Sequence, residues 1–149
     1  MNELVLKLRQ QYPEITFVKG DIFHWSPREK HVIYTTDKTE QASWSLLHET
    51  GHALLGHVSY TTDMELLKKE VAAWQKAAQL ALEFGIEIHD DYAQDCLDSY
   101  REWIHKRSRC PTCSLKGLQE APDTYKCLNC KTTWHVSIER FYRPYRRSE

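Results

Sequence analysis

The chain predicts an α+β protein in two parts. Residues 1–108 form a domain of a short β-hairpin or sheet plus helices, and residues 109–149 form a small four-cysteine module with a basic tail. Three observations predict this. Short runs rich in β-branched and aromatic residues (15–18, 21–25 and 31–34) precede three longer stretches with helical apolar spacing. After Arg109 the chain turns to paired cysteines, short strands and turns. The charge divides in the same way: residues 1–100 hold 9 Lys/Arg and 16 Asp/Glu, a net of −7, whereas residues 101–149 hold 11 and 5, a net of +6. An acidic front and a basic back point to different partners for the two parts.

Taken in order, residues 2–12 predict a helix with Leu4, Leu6, Leu8 and Tyr12 available for packing, ended by Pro13. Gly20 separates the first two strands. Ser26-Pro27-Arg28-Glu29 is a turn into His31 to Tyr34, so the second and third strands make a hairpin. Thr39 or a neighbour caps a helix from about Gln41 to Leu55, with Trp44, Leu47, Ala53, Leu54 and Leu55 as its apolar contacts and Gly56 as its stop. Thr62-Asp63-Met64-Glu65 fits the S/T-x-x-E capping box of a helix reaching Phe84, and a further helix runs from about Asp90 to Lys106.

A length of 149 residues suits one ordinary domain with a small appendage, and 41% hydrophobic with 28% charged residues is ordinary for a globular protein. No basic n-region followed by an apolar run opens the chain, and no stretch approaches eighteen apolar residues, so the expectation is a cytoplasmic protein without a membrane span.

The chemistry is concentrated in His48-Glu49-Thr50-Gly51-His52, an H-E-x-x-H motif within the 41–55 helix. Residues four apart share a helix face, so His48 and His52 offer two imidazoles to one metal, and Glu49 lies beside it as a general base. A catalytic zinc needs a third protein ligand. His57 lies nine residues after His48, whereas H-E-x-x-H-x-x-G-x-x-H needs ten, a position held by Val58; His57 is therefore read as a helix-end or supporting residue. Glu65 has Lys68 and Lys69 at i+3 and i+4 and reads as a solvated face. Glu70 has Leu66, Ala73, Trp74 and Ala77 around it, and a carboxylate on an apolar stripe is costly unless paired or metal-bound, so Glu70 is the expected third ligand. Gly51 within the helix costs about 1 kcal/mol relative to Ala, which predicts close packing of a strand or substrate backbone on that face.

The run His48 to His57, the hairpin before it and a following helix carrying Glu70 and Trp74 resemble the ImmA/IrrE metallopeptidase family over about residues 1–85. The resemblance implies a zincin-like fold, a zinc ion on His48, His52 and Glu70, catalysis by Glu49, and an intracellular endopeptidase; several members cleave transcriptional repressors. The chain departs from the family pattern at Ala72, where an acidic or amide residue is frequent, and it lacks the helix-turn-helix segment of some members. In such a site zinc polarises the scissile carbonyl and lowers the pKa of its water to about 7, while Glu49 carries the proton to the leaving amine. His24, His57 and Tyr60 are the candidates for stabilising the oxyanion.

Cys110-Pro111-Thr112-Cys113 and Cys127-Leu128-Asn129-Cys130 are two C-x-x-C knuckles thirteen residues apart, the spacing of a closed four-cysteine metal site. The module resembles a zinc ribbon, so one catalytic and one structural zinc are expected. Cys96 reads as a small core residue, and His105 and His135 as bystanders. Lys116, Lys126, Lys131, Arg140, Arg143, Arg146 and Arg147, interleaved with Tyr125, Trp134, Phe141, Tyr142 and Tyr145, suit phosphate contacts and base stacking, or else docking of a partner protein with the aromatics packed inside. Two alternatives to a protein-cleaving enzyme of the ImmA/IrrE kind follow. A SprT-like protease of DNA-bound proteins also joins H-E-x-x-H to a zinc ribbon, but its third ligand is a histidine and none occurs between His57 and His89. A non-catalytic zinc-dependent binding module would have no use for Glu49.

Overall fold

The computed structural model describes residues 1–137, and the backbone of residues 146–148. Its elements run α1 (Asn2–Gln11), β1 (Thr16–Lys19), β2 (His24–Ser26), β3 (His31–Tyr34), α2 (Glu40–Leu54), α3 (Asp63–Glu83), α4 (Asp90–Ser108), β4 (Gly117–Ala121), β5 (Thr124–Cys127), β6 (Thr133–Val136) and β7 (Arg146–Ser148). The α+β class is as expected. By packing, the chain forms two units, Met1–Ser59 with Lys69–Ala93, and Tyr60–Lys68 with Gln94–Glu149. The change of residue character near residue 108 falls inside the second unit. Among the described residues, no helix is long and apolar enough to cross a membrane.

In the first unit the sheet order is β1-β3-β2. The expected hairpin is present, with β2 antiparallel to β3. β1 instead pairs parallel to β3, Thr16 opposite His31 through Lys19 opposite Tyr34. The chain therefore crosses from β1 to β2 and returns as β3 between them, which leaves β2 at a sheet edge. β2 is also shorter than expected, because exposed Asp21 and Ile22 lie in a bend before it. α1 buries Leu4, Val5 and Leu8 against β1, an i, i+1, i+4 stripe, so Leu6, two residues round the helix, stays exposed.

α2 starts where Thr39 Oγ1 accepts the Ala42 N–H at 3.2 Å, satisfying an orphan donor of the first turn. It ends before Gly56, whose φ of +62° suits a residue without Cβ. The helix packs on β2 and β3 and buries Ala42, Trp44, Leu46 and Leu47, with Trp44 against the rings of His89 and Tyr92. Leu46 belongs to this core, whereas Leu55, expected to pack, is exposed. Gly85 closes α3 in the same left-handed conformation.

In the second unit the capping box opens α3: Thr62 Oγ1 accepts the Glu65 N–H at 3.1 Å. The Glu65 carboxylate accepts the N–H and hydroxyl of Thr61, at 2.9 and 3.0 Å, rather than the N–H of Thr62. β4, β5, β6 and β7 form an antiparallel sheet in that order. Its core is Cys110, Tyr125, Cys127, Trp134 and Val136, with Cys113 and Cys130 packed against it.

Asp63, buried at the start of α3, anchors this sheet. Its carboxylate accepts the Tyr125 hydroxyl, lies 3.3 Å from the Arg107 guanidinium and 3.3 Å from the Gln119 amide. Arg107 is buried over the Trp103 ring, 4.1 Å from its centroid, and donates to the Pro122 carbonyl at 2.9 Å. Burial, then hydrogen bonding to Asp63, raises the Tyr125 pKa and keeps its hydroxyl a donor. Asp63→Ala leaves Arg107 buried without its carboxylate, and urea unfolding is expected to show a loss of about 3–5 kcal/mol. A loss below about 1 kcal/mol would contradict this account of the network.

Candidate metal centres

His48 and His52 lie one turn apart on the inner face of α2, and their Nε2 atoms are 3.1 Å from each other. His48 is held by stacking on the indole of Trp74, with ring centroids 4.3 Å apart and an interplanar angle of 29°. Glu70 projects from α3 between them, its Oε2 3.2 Å from His48 Nε2 and 3.6 Å from His52 Nε2. All three side chains are largely buried, at 9%, 12% and 7% exposure. Burial opposes ionisation of Glu70, but the facing His48 and His52 rings outweigh it and hold the carboxyl down to about 2. Glu70 is thus a buried anion facing two imidazole nitrogens.

The donor set fits a metal ion. Three ligands on a tetrahedron with bonds of about 2.0–2.2 Å lie roughly 3.3–3.6 Å apart, close to the observed edges of this triangle. Hydrogen bonding alone accounts for it less well. If both Nε2 atoms donated to Glu70, two N–H groups would face each other at 3.1 Å. A cation at the centre lets all three atoms act as lone-pair donors. Glu70→Ala is expected to remove one of two zinc ions per chain, counted by elemental analysis, while the cysteine site stays filled; retention of both would exclude Glu70 as a ligand.

Glu49, next to His48 on α2, is half-buried, and its Oε2 accepts the backbone N–H of Trp25 on β2 at 2.7 Å. The Trp25 indole Nε1 donates to the His57 carbonyl at 2.8 Å. His57 in turn places its Nδ1 2.8 Å from His52 Nδ1. Burial, then the neighbouring His52, lowers the His57 pKa from its ordinary value, which favours the neutral ring that can accept a hydrogen bond. His57 thus contacts the His52 ring and is not one of the three residues whose ligand atoms converge. Trp25 was not anticipated from the sequence, where it reads only as an apolar strand residue. Of the other oxyanion candidates, His24 is exposed on β2 and Tyr60 belongs to the second unit.

Gly51 is explained by α3. A Cβ there would meet the Ala73 carbonyl oxygen at 2.7 Å, so the tight neighbour is a helix backbone rather than the strand or substrate expected. This approach brings Glu70 of α3 toward the histidine face of α2. Gly51→Ala is expected to destabilise the fold by about 1–3 kcal/mol despite its helix propensity, read as a lower thermal midpoint; a stabilised variant would contradict the close approach.

In the second unit, Cys110 Sγ and Cys130 Sγ are 3.6 Å apart and Cys113 Sγ and Cys127 Sγ 3.5 Å apart. Tetrahedral zinc with bonds of about 2.3 Å separates sulfurs by roughly 3.8 Å. The two knuckles repeat one backbone pattern. Cys110 N–H donates to Leu115 O and Ser114 N–H to Cys110 O, while Cys127 N–H donates to Thr132 O and Lys131 N–H to Cys127 O. Ser114 and Lys131, each four residues after the first cysteine of its knuckle, have φ of 63° and 64°. Such left-handed non-glycine residues persist only where the surroundings dictate them, and here they accompany the convergence of the four cysteines. Hydrogen bonds from Thr132 draw the Cys130 thiol down to about 6, toward the thiolate that a metal requires.

Among the described residues, these two are the groups of three or more His, Cys, Asp or Glu whose ligand atoms converge within 4.8 Å of one another. Cys96, His105 and His135 belong to neither. Cys96 is half-buried on α4, His105 is exposed, and exposed His135 has its Nδ1 3.1 Å from the Thr124 hydroxyl. Tyr125 and Trp134 are buried and stacked on each other at 5.6 Å, so they do not offer faces to nucleic-acid bases. Lys116, Lys126 and Lys131 are exposed. Arg140, Phe141, Tyr142, Arg143 and Tyr145 lie outside the described residues, and Arg146 and Arg147 are described only as backbone in β7. Among protein-family models, curated proteins and solved structures, none matches this chain.

Proposed function

We propose that this protein is a zinc-dependent endopeptidase of the ImmA/IrrE kind, cleaving a protein substrate inside the cell. The observation that carries the reading is the convergence of His48, His52 and Glu70 beside a Glu49 carboxylate held at the edge of a β-sheet. In this reading His48 and His52 give their Nε2 lone pairs and Glu70 its carboxylate to a zinc ion. Zinc there supplies Lewis acidity toward a peptide carbonyl and acidifies water to a pKa of about 7. Glu49 keeps one oxygen on the Trp25 N–H and uses the other to take the proton of the attacking water. It then delivers that proton to the leaving amide nitrogen. A carboxylate as third ligand speaks for this family over the SprT-like alternative, whose site uses a third histidine.

The four-cysteine ribbon takes a structural zinc. Its exposed lysines suit it to guide an acidic partner, either a nucleic acid that carries the substrate or the substrate protein itself. The test is a native cell lysate incubated with wild type or with Glu49→Gln, with new N-termini catalogued. Termini produced by wild type alone are expected. Identical catalogues would leave the protein as a metal-dependent binding module.

A further inference from the structure

We propose that Trp25 and His57 form a bracket that positions the metal site, with Trp25 joining the edge strand to both the general base and a metal ligand. The inference rests on the reading of His48, His52 and Glu70 as one metal site. Trp25 makes two hydrogen bonds of different kinds: its backbone N–H holds Glu49 Oε2 at 2.7 Å, and its indole N–H holds the His57 carbonyl at 2.8 Å. His57 completes the chain through its contact with His52, Nδ1 to Nδ1 at 2.8 Å. Only one nitrogen of that pair carries the proton. A His52 that gives its Nε2 lone pair to a metal must carry its own proton on Nδ1. His57 Nδ1 is then the acceptor, and the contact selects the tautomer of His52 that can bind the ion and fixes the plane of its ring.

The loop after α2 contributes to this arrangement. Gly56, at φ +62°, turns the chain back so that the His57 N–H reaches the His52 carbonyl at 3.0 Å and its side chain returns along the helix toward the His52 ring. The Trp25 indole secures this returning segment at its carbonyl. β2, α2 and the loop are thereby tied at one residue, and motion of the β2 edge is transmitted to Glu49 and His52 together.

The test is zinc affinity of the full chain by chelator competition, with cobalt substitution as a spectroscopic readout and the filled cysteine site as the control for folding. His57→Ala is expected to weaken the His48/His52/Glu70 site by about 10–100-fold, the usual effect of losing such a supporting contact. Its cobalt ligand-field spectrum should change. His57→Asn, whose Oδ1 can take the place of Nδ1 as acceptor, should recover most of the affinity. Trp25→Phe removes the indole N–H and keeps the ring, and should weaken zinc by about threefold to tenfold, as one hydrogen bond would. In a His57→Ala background it should add little, since both act through one chain of contacts. Wild-type affinity and an unchanged spectrum in His57→Ala would overturn the bracket, as would strictly additive effects of the two substitutions. If instead wild type binds no metal at His48, His52 and Glu70, the underlying metal-site reading fails. Identical lysate catalogues for wild type and Glu49→Gln would instead count against the peptidase reading alone and leave the metal-affinity result standing.

Discussion

Glu49→Gln is expected to lower peptide-bond cleavage by about 10²–10⁴-fold, the range for removing a positioned general base, with both zinc ions retained. The substitution is nearly isosteric, and a glutamine side-chain oxygen can still accept the Trp25 N–H that holds Glu49 at 2.7 Å. Geometry and metal binding therefore survive while the ability to take a proton is lost. This separates it from Glu70→Ala, which acts on metal content. The measurement is turnover of an identified substrate by zinc-loaded wild type and variant, with zinc per chain determined on the same samples. Comparable turnover would remove Glu49 from the chemistry. A loss of zinc in Glu49→Gln would make Glu49 a ligand or a structural residue instead.

The second large effect is on folding. Cys127→Ser, or removal of metal by a strong chelator, is expected to unfold the ribbon. Among the described residues, Cys127 is fully buried in a core with Cys110, Tyr125, Trp134 and Val136. A core this small buries too little apolar surface to order the segment alone, whereas zinc on four thiolates supplies an apparent 10–16 kcal/mol or so of folding free energy. The amides to follow are those of the knuckles. Cys110 and Cys127 N–H, bonded to Leu115 O and Thr132 O, should be slow to exchange in the zinc-loaded chain and fast after chelation. The stacked pair Tyr125 and Trp134 should lose its near-ultraviolet circular dichroism in the same step. Continued protection of those amides in metal-free protein would show that the ribbon is held by packing instead.

Much of the candidate site was legible because its constraints are local or strongly periodic. The i, i+4 spacing of His48 and His52 places both rings on one helix face wherever the helix goes. Glu70 was marked by its own neighbours, since a carboxylate among Leu66, Ala73, Trp74 and Ala77 needs a charged partner, and it faces two histidines. Thr39, Thr62, Gly56 and Gly85 act within a few residues of themselves and stand at the helix ends expected of them. Leu6 and Leu55 were misjudged because counting apolar residues near a helix does not say which stripe meets the sheet.

The candidate metal ligands, then, were determined by the sequence itself: two imidazoles on a helix face, one costly carboxylate, and two cysteine knuckles whose spacing suits a single ion. Tertiary structure decided what surrounds that chemistry. β1 runs parallel to β3, which makes β2 an edge and puts the Trp25 N–H on Glu49 across 24 residues of sequence. Asp63 meets Tyr125 across 62 residues, and Gly51 admits the Ala73 carbonyl of another helix. Each of these depends on contacts between segments far apart in the chain, which local propensity and periodicity do not encode and which arise only when hydrophobic faces pack and strands choose their partners.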